Sequence, residues 1–118
     1  MIAANVPIYV ALEPVDMRKS FDGLALRVRE ALGKDPQSGA LFAFVSKSGT
    51  RLKLIWFHKN GYCLLYKRLH RAVFRMPRGI EPAASSVEID LLELGKILEG
   101  IALSAKKREI RRTVPFAT

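Results

Sequence analysis

The chain has 118 residues, 49% of them apolar, a formal net charge of +9 and a single cysteine; its sequence pI is about 10.1 and its mean hydropathy +0.08. That length builds one modest core rather than two, Cys63 alone excludes an internal disulfide framework and fits a reducing cytoplasm, and no apolar run approaches the roughly 20 residues that cross a bilayer. The charge points to an anionic partner.

Met1–Leu12 has no basic leader and is punctuated by Asn5 and Pro7, so it does not read as a signal peptide. Pro7–Leu12 is β-branched and apolar and reads as a first strand, broken at Pro14, which fixes its own φ and lacks an amide donor. Asp16 is placed to cap a helix whose apolar residues Phe21, Leu24, Ala25, Val28 and Leu32 recur at spacings of three and four. Gly33 and Asp35-Pro36 stop it. Leu41–Ser46 reads as a second strand, followed by the Lys47-Ser48-Gly49-Thr50 turn. Arg51–His58 and Tyr62–His70 then form a hairpin about Asn60-Gly61, the dipeptide that best tolerates positive φ in a two-residue turn. Ala72–Met76 is a further, optional strand. Ser85 and Glu88 have capping-box spacing and predict a second helix with the stripe Leu91, Leu94, Leu98 and Ile101. The order β-α-β-β-β-(β)-α predicts one α+β domain over residues 1–104, with a mostly antiparallel sheet of four to five strands and two helices. Residues 105–118 are expected to form a mobile basic tail.

Between Asp35 and Glu81 there is no aspartate or glutamate, while nine lysines and arginines, two histidines and seven aromatics fall there. Surfaces normally mix both signs, so a one-signed stretch threaded with aromatics suggests a nucleic acid lying against it; basic residues filling the wet face of a hairpin is the plainer alternative. A two-residue turn at Asn60-Gly61 sets His58 against Cys63, Phe57 against Leu64, Lys53 against Arg68 and Arg51 against His70. Leu52, Leu54, Trp56, Cys63, Leu65 and Leu69 then share a core face, with Lys67 as the exception. Arg51, Lys53, Arg68 and His70 share the other face with Ile55, Phe57, Leu64 and Tyr66. Lys53 facing Arg68 costs up to about 1 kcal/mol, a cost that invites a phosphate backbone across the sheet, with Tyr66 or Phe57 as a stacking platform.

No metal site is expected: Cys63, His58 and His70 are the only soft ligands and lack finger-like or zincin spacing. Glu13, Asp16 and Asp22 cluster as two-metal nuclease carboxylates do, but Asp16 and Asp22 are better explained at a helix start. With no Gly-rich phosphate loop and no nucleophile–base pair, no catalytic residue, enzymatic activity or cofactor is expected. No pair of adjacent short helices suggests a helix-turn-helix.

Asp16-Met17-Arg18-Lys19-Ser20-Phe21-Asp22-Gly23-Leu24, Leu54-Ile55-Trp56-Phe57, Gly61-Tyr62-Cys63-Leu64-Leu65-Tyr66-Lys67-Arg68-Leu69 and Leu98-Glu99-Gly100-Ile101 together resemble one family in order and spacing, from about Ile8 to Ile101. It is the TnpB accessory protein, encoded by the second open reading frame of IS66 (IS-sixty-six) bacterial insertion sequences. The chain departs from it at Ser20, where glycine is more usual, at the His58-Lys59-Asn60-Gly61 turn, and in a longer Arg78–Glu88 segment. The resemblance implies a non-catalytic role in transposition beside a separate transposase and other accessory proteins of the element. Binding of element DNA is an expectation from charge, through Arg51, Lys53, Arg68, Arg71 and Arg75, with Tyr66 stacking and Lys106, Lys107, Arg108, Arg111 and Arg112 adding sequence-independent affinity. The alternatives are a protein–protein adaptor docking through Ile55, Phe57, Leu64 and Tyr66, and an RNA-binding module. An exposed basic face with no helix over it favours nucleic acid; a helix over it favours the adaptor.

Overall fold

The computed structural model describes residues 5–77 and 81–103. Its elements are β1 (Ile8–Ala11), α1 (Phe21–Glu30), β2 (Leu41–Val45), β3 (Arg51–His58), β4 (Gly61–Arg68), β5 (Ala72–Val73), β6 (Ser86–Ile89), α2 (Leu91–Glu99) and β7 (Ile101–Ala102). The main sheet has five strands in the order β4-β3-β2-β1-β6; β5 and β7 form a separate pair. Only β1 and β2 run parallel, joined through α1, and the other neighbours are antiparallel. The result is the expected α+β class with two helices.

Both faces of the sheet are covered, which explains why β2 is apolar at every position and wholly buried. On one face Leu24, Val28 and Leu32 pack with Phe42, Phe44 and Ile55. On the other, Leu94 and Ile97 of α2 join Phe74 against Leu41, Ala43, Leu52, Leu54 and Trp56. The periodic residues of the first helix therefore turn inward as their spacing requires, except Phe21, which stays 43% exposed. Gly33 ends the helix at φ +64, in the left-handed region that a residue without Cβ enters freely.

Two helix starts differ from expectation. Asp16 does not cap α1; Ser20 is the N-cap residue, with no side-chain bond, and the Asp16 carboxylate turns to Arg18. Ser85 and Glu88 do not open the second helix. Val87 packs on the core and Ile89 is buried, while Glu88 points to solvent, a period-two pattern that makes β6 and pairs it with β1. The cap belongs to Asp90, whose Oδ1 accepts the Glu93 N–H at 2.8 Å.

The central hairpin forms, but its turn residues are Lys59 and Asn60, with His58 opposite Gly61. Lys59 takes the positive φ of 58°. This sets Phe57 directly opposite Tyr62, and their rings meet edge to face at 5.1 Å, a contact that offsets a lysine in the left-handed region. Each β3 residue consequently faces a β4 residue two positions earlier than expected. Lys53 faces Tyr66 rather than Arg68, Arg51 faces Arg68 rather than His70, and Trp56 rather than His58 faces Cys63. A slip of two preserves which side chains share a face.

After α2, Gly100 turns the chain at φ +74, and a Cβ there would lie 2.6 Å from Leu69 Cδ1 and 3.0 Å from the Val73 carbonyl oxygen. Gly100→Ala is therefore expected to cost about 1–3 kcal/mol through left-handed strain and overpacking. Chemical denaturation checks this; an unchanged midpoint contradicts it.

Candidate nucleic-acid interface

The expected basic residues divide among three environments. Arg51 and Arg68 stand opposite each other at the open end of the β3–β4 ribbon, both exposed. Arg71 is exposed too, at φ 55° in the connection after β4. That connection is held against the turn before β3 by Leu69 N–H donating to Thr50 O and Phe74 N–H donating to Gly49 O, both at 2.8 Å.

Lys53 is different. It is 6% exposed, and its Nζ donates to the Met17 and Lys19 carbonyls, each at 2.6 Å. The same ammonium lies 4.8 Å from the Tyr66 ring centroid. Lys53 is thus a clamp between the sheet and the loop before α1, and it presents no charge to a surface ligand. Tyr66 is 49% exposed, but one face of its ring already carries this cation.

Arg75 lies apart from the others, beside Glu93 and Lys96 of α2 at a hollow of about 160 Å³ on the other side of the sheet. Lys106, Lys107, Arg108, Arg111 and Arg112 lie outside the described residues. The single exposed face with Arg51, Lys53, Arg68 and Arg75 together does not exist. α1 covers its middle, where Ile55 is 1% exposed, so the apolar patch Ile55–Phe57–Leu64–Tyr66 is not an open surface either.

The structure adds two cations that the sequence reading does not include among the binding residues, Arg18 and Lys47. Arg18, Lys47 and Arg51 line a concavity of about 520 Å³ together with Asp16, Ser46, Ser48 and Thr50. Val15 N–H donates to Val45 O at 3.1 Å and ties the loop before α1 to the end of β2, which brings Arg18 beside the β2–β3 turn. In that turn Gly49 takes φ +78, and Ser48 Oγ lies 3.2 Å from Ser46 Oγ and 2.9 Å from Thr50 Oγ1. The only hint in the sequence was a run of hydroxyl residues next to a lysine and an arginine.

Among the described residues, Asp16 is the one acid lining this concavity. It accepts the Arg18 N–H at 2.9 Å and holds the guanidinium through Nε and Nη2, at 2.9 and 2.6 Å on Oδ2. These bonds from Arg18 lower its pKa from 3.8 to about 2. A depressed carboxylate stabilises the fold above its unfolded pKa and loses that contribution as the pH falls through the folded value. The Arg18 loop should therefore hold its geometry above about pH 4 and release it between there and about pH 2. A carboxyl-carbon NMR titration of Asp16 with a midpoint near 4 contradicts the pairing.

Cys63 and His58 are not cross-strand partners, and no group of three or more His, Cys, Asp or Glu among the described residues could hold a metal ion. No helix among the described residues is long and apolar enough to cross a membrane.

The family described as IS66 Orf2-like protein matches residues 6–108. The uncharacterised protein y4hO of Sinorhizobium fredii is 40% identical over 97 residues, covering 82% of each chain. A second uncharacterised protein of that organism, y4jC, is 39% identical over 70 residues, 59% of this chain and 60% of its own. No solved structure matches.

Proposed function

The chain belongs to the IS66 Orf2-like family, which supports an accessory role in transposition, and on that premise we propose that it binds the DNA of its insertion sequence, alone or assembled with the transposase, in the cytoplasm. The interface is the basic end of the β3–β4 ribbon: Arg51, Arg68 and Arg71, joined by Arg18 and Lys47. The observation that carries this reading is Arg51 held directly opposite Arg68. Facing like charges cost up to about 1 kcal/mol, and a phosphate backbone between them removes that repulsion. Lys106, Lys107, Arg108, Arg111 and Arg112 would extend the contact along the backbone. Lys53, Tyr66 and Arg75 drop out as direct contacts, for the positions described above.

Fluorescence anisotropy of a labelled element-end duplex tests the proposal. Binding at low salt that weakens as salt is added is expected; no binding at low salt overturns it. Single-stranded RNA as competitor tests the RNA alternative.

Two observations favour the adaptor reading, the first being that α1 covers the middle of the expected basic face. The second is that β4 is an edge strand, with Leu65 39% and Tyr66 49% exposed along it, and such an edge can take a strand from a partner protein. Capture of the transposase that survives nuclease and raised salt would support the adaptor; loss of capture under both would support bridging by DNA.

A further inference from the structure

We propose that the concavity between the Asp16–Arg18 loop and the Ser46–Arg51 turn is a built site for one phosphate group, with Arg18 as its principal donor and Lys53 as the residue that positions Arg18. The proposal deepens the DNA-binding reading and rests on it: a localised phosphate pocket takes the place of diffuse charge.

The chemistry is legible atom by atom. Asp16 engages Nε and one N–H of Nη2 of Arg18. A guanidinium has five N–H donors in a planar fork, so the Nη1 edge stays free for a ligand. Arg18 is also fixed from behind, because Lys53 Nζ binds the carbonyls of Met17 and Lys19, the residues on either side of it. The backbone of the loop is thus set before any ligand arrives, while the Arg18 side chain, 91% exposed, is oriented by Asp16 alone.

Across the concavity the three hydroxyls of Ser46, Ser48 and Thr50 share two hydrogen bonds, which leaves one hydroxyl proton for a ligand. Ser46 Oγ also accepts the Arg51 N–H at 3.1 Å, fixing the start of β3. Lys47 and Arg51 complete a lining of three cations against one carboxylate already engaged. Guanidinium, ammonium and hydroxyl donors around one hollow suit a tetrahedral oxyanion. Its source is an internal phosphodiester of a nucleic-acid strand or a terminal phosphate of a strand end.

The test follows the arginine Nε–H and backbone amide resonances of the full chain during titration with inorganic phosphate, for wild type, Arg18→Gln, Lys53→Met and the surface double variant Ser48→Ala/Thr50→Val. Shifts concentrated at Arg18, Lys47–Thr50 and Arg51 are expected, with affinity falling about tenfold in Arg18→Gln as its charge-assisted bonds are lost. The hydroxyl double variant should fall several-fold while keeping the wild-type spectrum elsewhere. Lys53→Met should weaken phosphate binding although its own side chain touches no ligand; if it fails to fold, the other two variants carry the test. Uniform small shifts at every lysine and arginine, or wild-type affinity in Arg18→Gln, overturn the site. Oligonucleotides with and without a 5′-phosphate then identify the source. A preference for the phosphorylated end that Arg18→Gln abolishes supports a terminal phosphate. Equal binding that Arg18→Gln weakens supports an internal diester. Phosphate shifts without any DNA binding remove the DNA reading and keep the site. DNA binding indifferent to Arg18→Gln removes the site and keeps the DNA reading.

Discussion

Lys53→Met is expected to destabilise the protein by about 2–3 kcal/mol and to lower its melting temperature by about 10 °C. Methionine keeps most of the aliphatic stem within the core, so the change isolates the ammonium. Two effects oppose each other. Relieving the burial of a cation with no carboxylate partner among the described residues is favourable, since buried charges carry a desolvation cost. Against it, the Met17 and Lys19 carbonyls each lose a charge-assisted hydrogen bond of 2.6 Å, worth about 1.5–3 kcal/mol apiece before the loop carbonyls recover water. The second effect wins because both acceptors belong to one loop and nothing else among the described bonds replaces Lys53 there. Trp56 is the only tryptophan and is 7% exposed, so its fluorescence reports unfolding directly. A variant as stable as wild type contradicts the clamp.

Arg68→Glu is expected to move stability and binding in opposite directions. It places a carboxylate opposite Arg51, replacing a repulsive cross-strand pair by an attractive one, and should stabilise the sheet by a few tenths to about 1 kcal/mol. The gain is small because both side chains are exposed and surface pairs are screened by solvent. DNA affinity should fall roughly tenfold or more, and the salt slope should flatten by about one, as a phosphate contact is lost. A role in the fold alone predicts that affinity follows stability upward. Denaturation and anisotropy on the same preparation separate the two, and unchanged DNA affinity places Arg68 outside the interface.

Much of the architecture could be read from local pattern. Leu24, Ala25 and Val28 recur at helical spacing and are buried, Gly33 stops the helix where a positive φ is needed, and the faces of the central hairpin follow from strand alternation. What the pattern misses is tertiary. The hairpin turn sits one residue earlier because Phe57 and Tyr62 gain from facing each other, a side-chain contact that the preference of Asn60-Gly61 does not encode. Ser85 and Glu88 carry helix-start spacing, yet the open edge of β1 takes Ser86–Ile89 as a strand. A docking site for a strand outweighs a cap.

The interface was less legible for the same reason. Arg51 and Arg68 are exposed at an element end, as their position in the ribbon leads one to expect. Whether a lysine on a strand faces water depends on what crosses it, and for Lys53 that is a loop 34 to 36 residues earlier in the chain. Arg75 lies beside Glu93 and Lys96 of α2, a contact set by the packing of a helix roughly twenty residues later in the chain. Arg18 and Lys47 belong to two separate stretches of chain, brought together by the bond from Val15 to Val45 and by the Lys53 clamp on the Arg18 loop.

The central claim, that the basic end of the β3–β4 ribbon binds the phosphate backbone of element DNA, is tested most directly by the salt dependence of binding. Anisotropy titrations of wild type with an element-end duplex should give a log–log slope of about −5 if five or six phosphates are contacted, and an affinity loss of about a thousandfold between 50 and 200 mM salt. A slope shallower than about −1, or no binding at 50 mM, contradicts the claim and leaves the edge of β4 as the working surface of this protein.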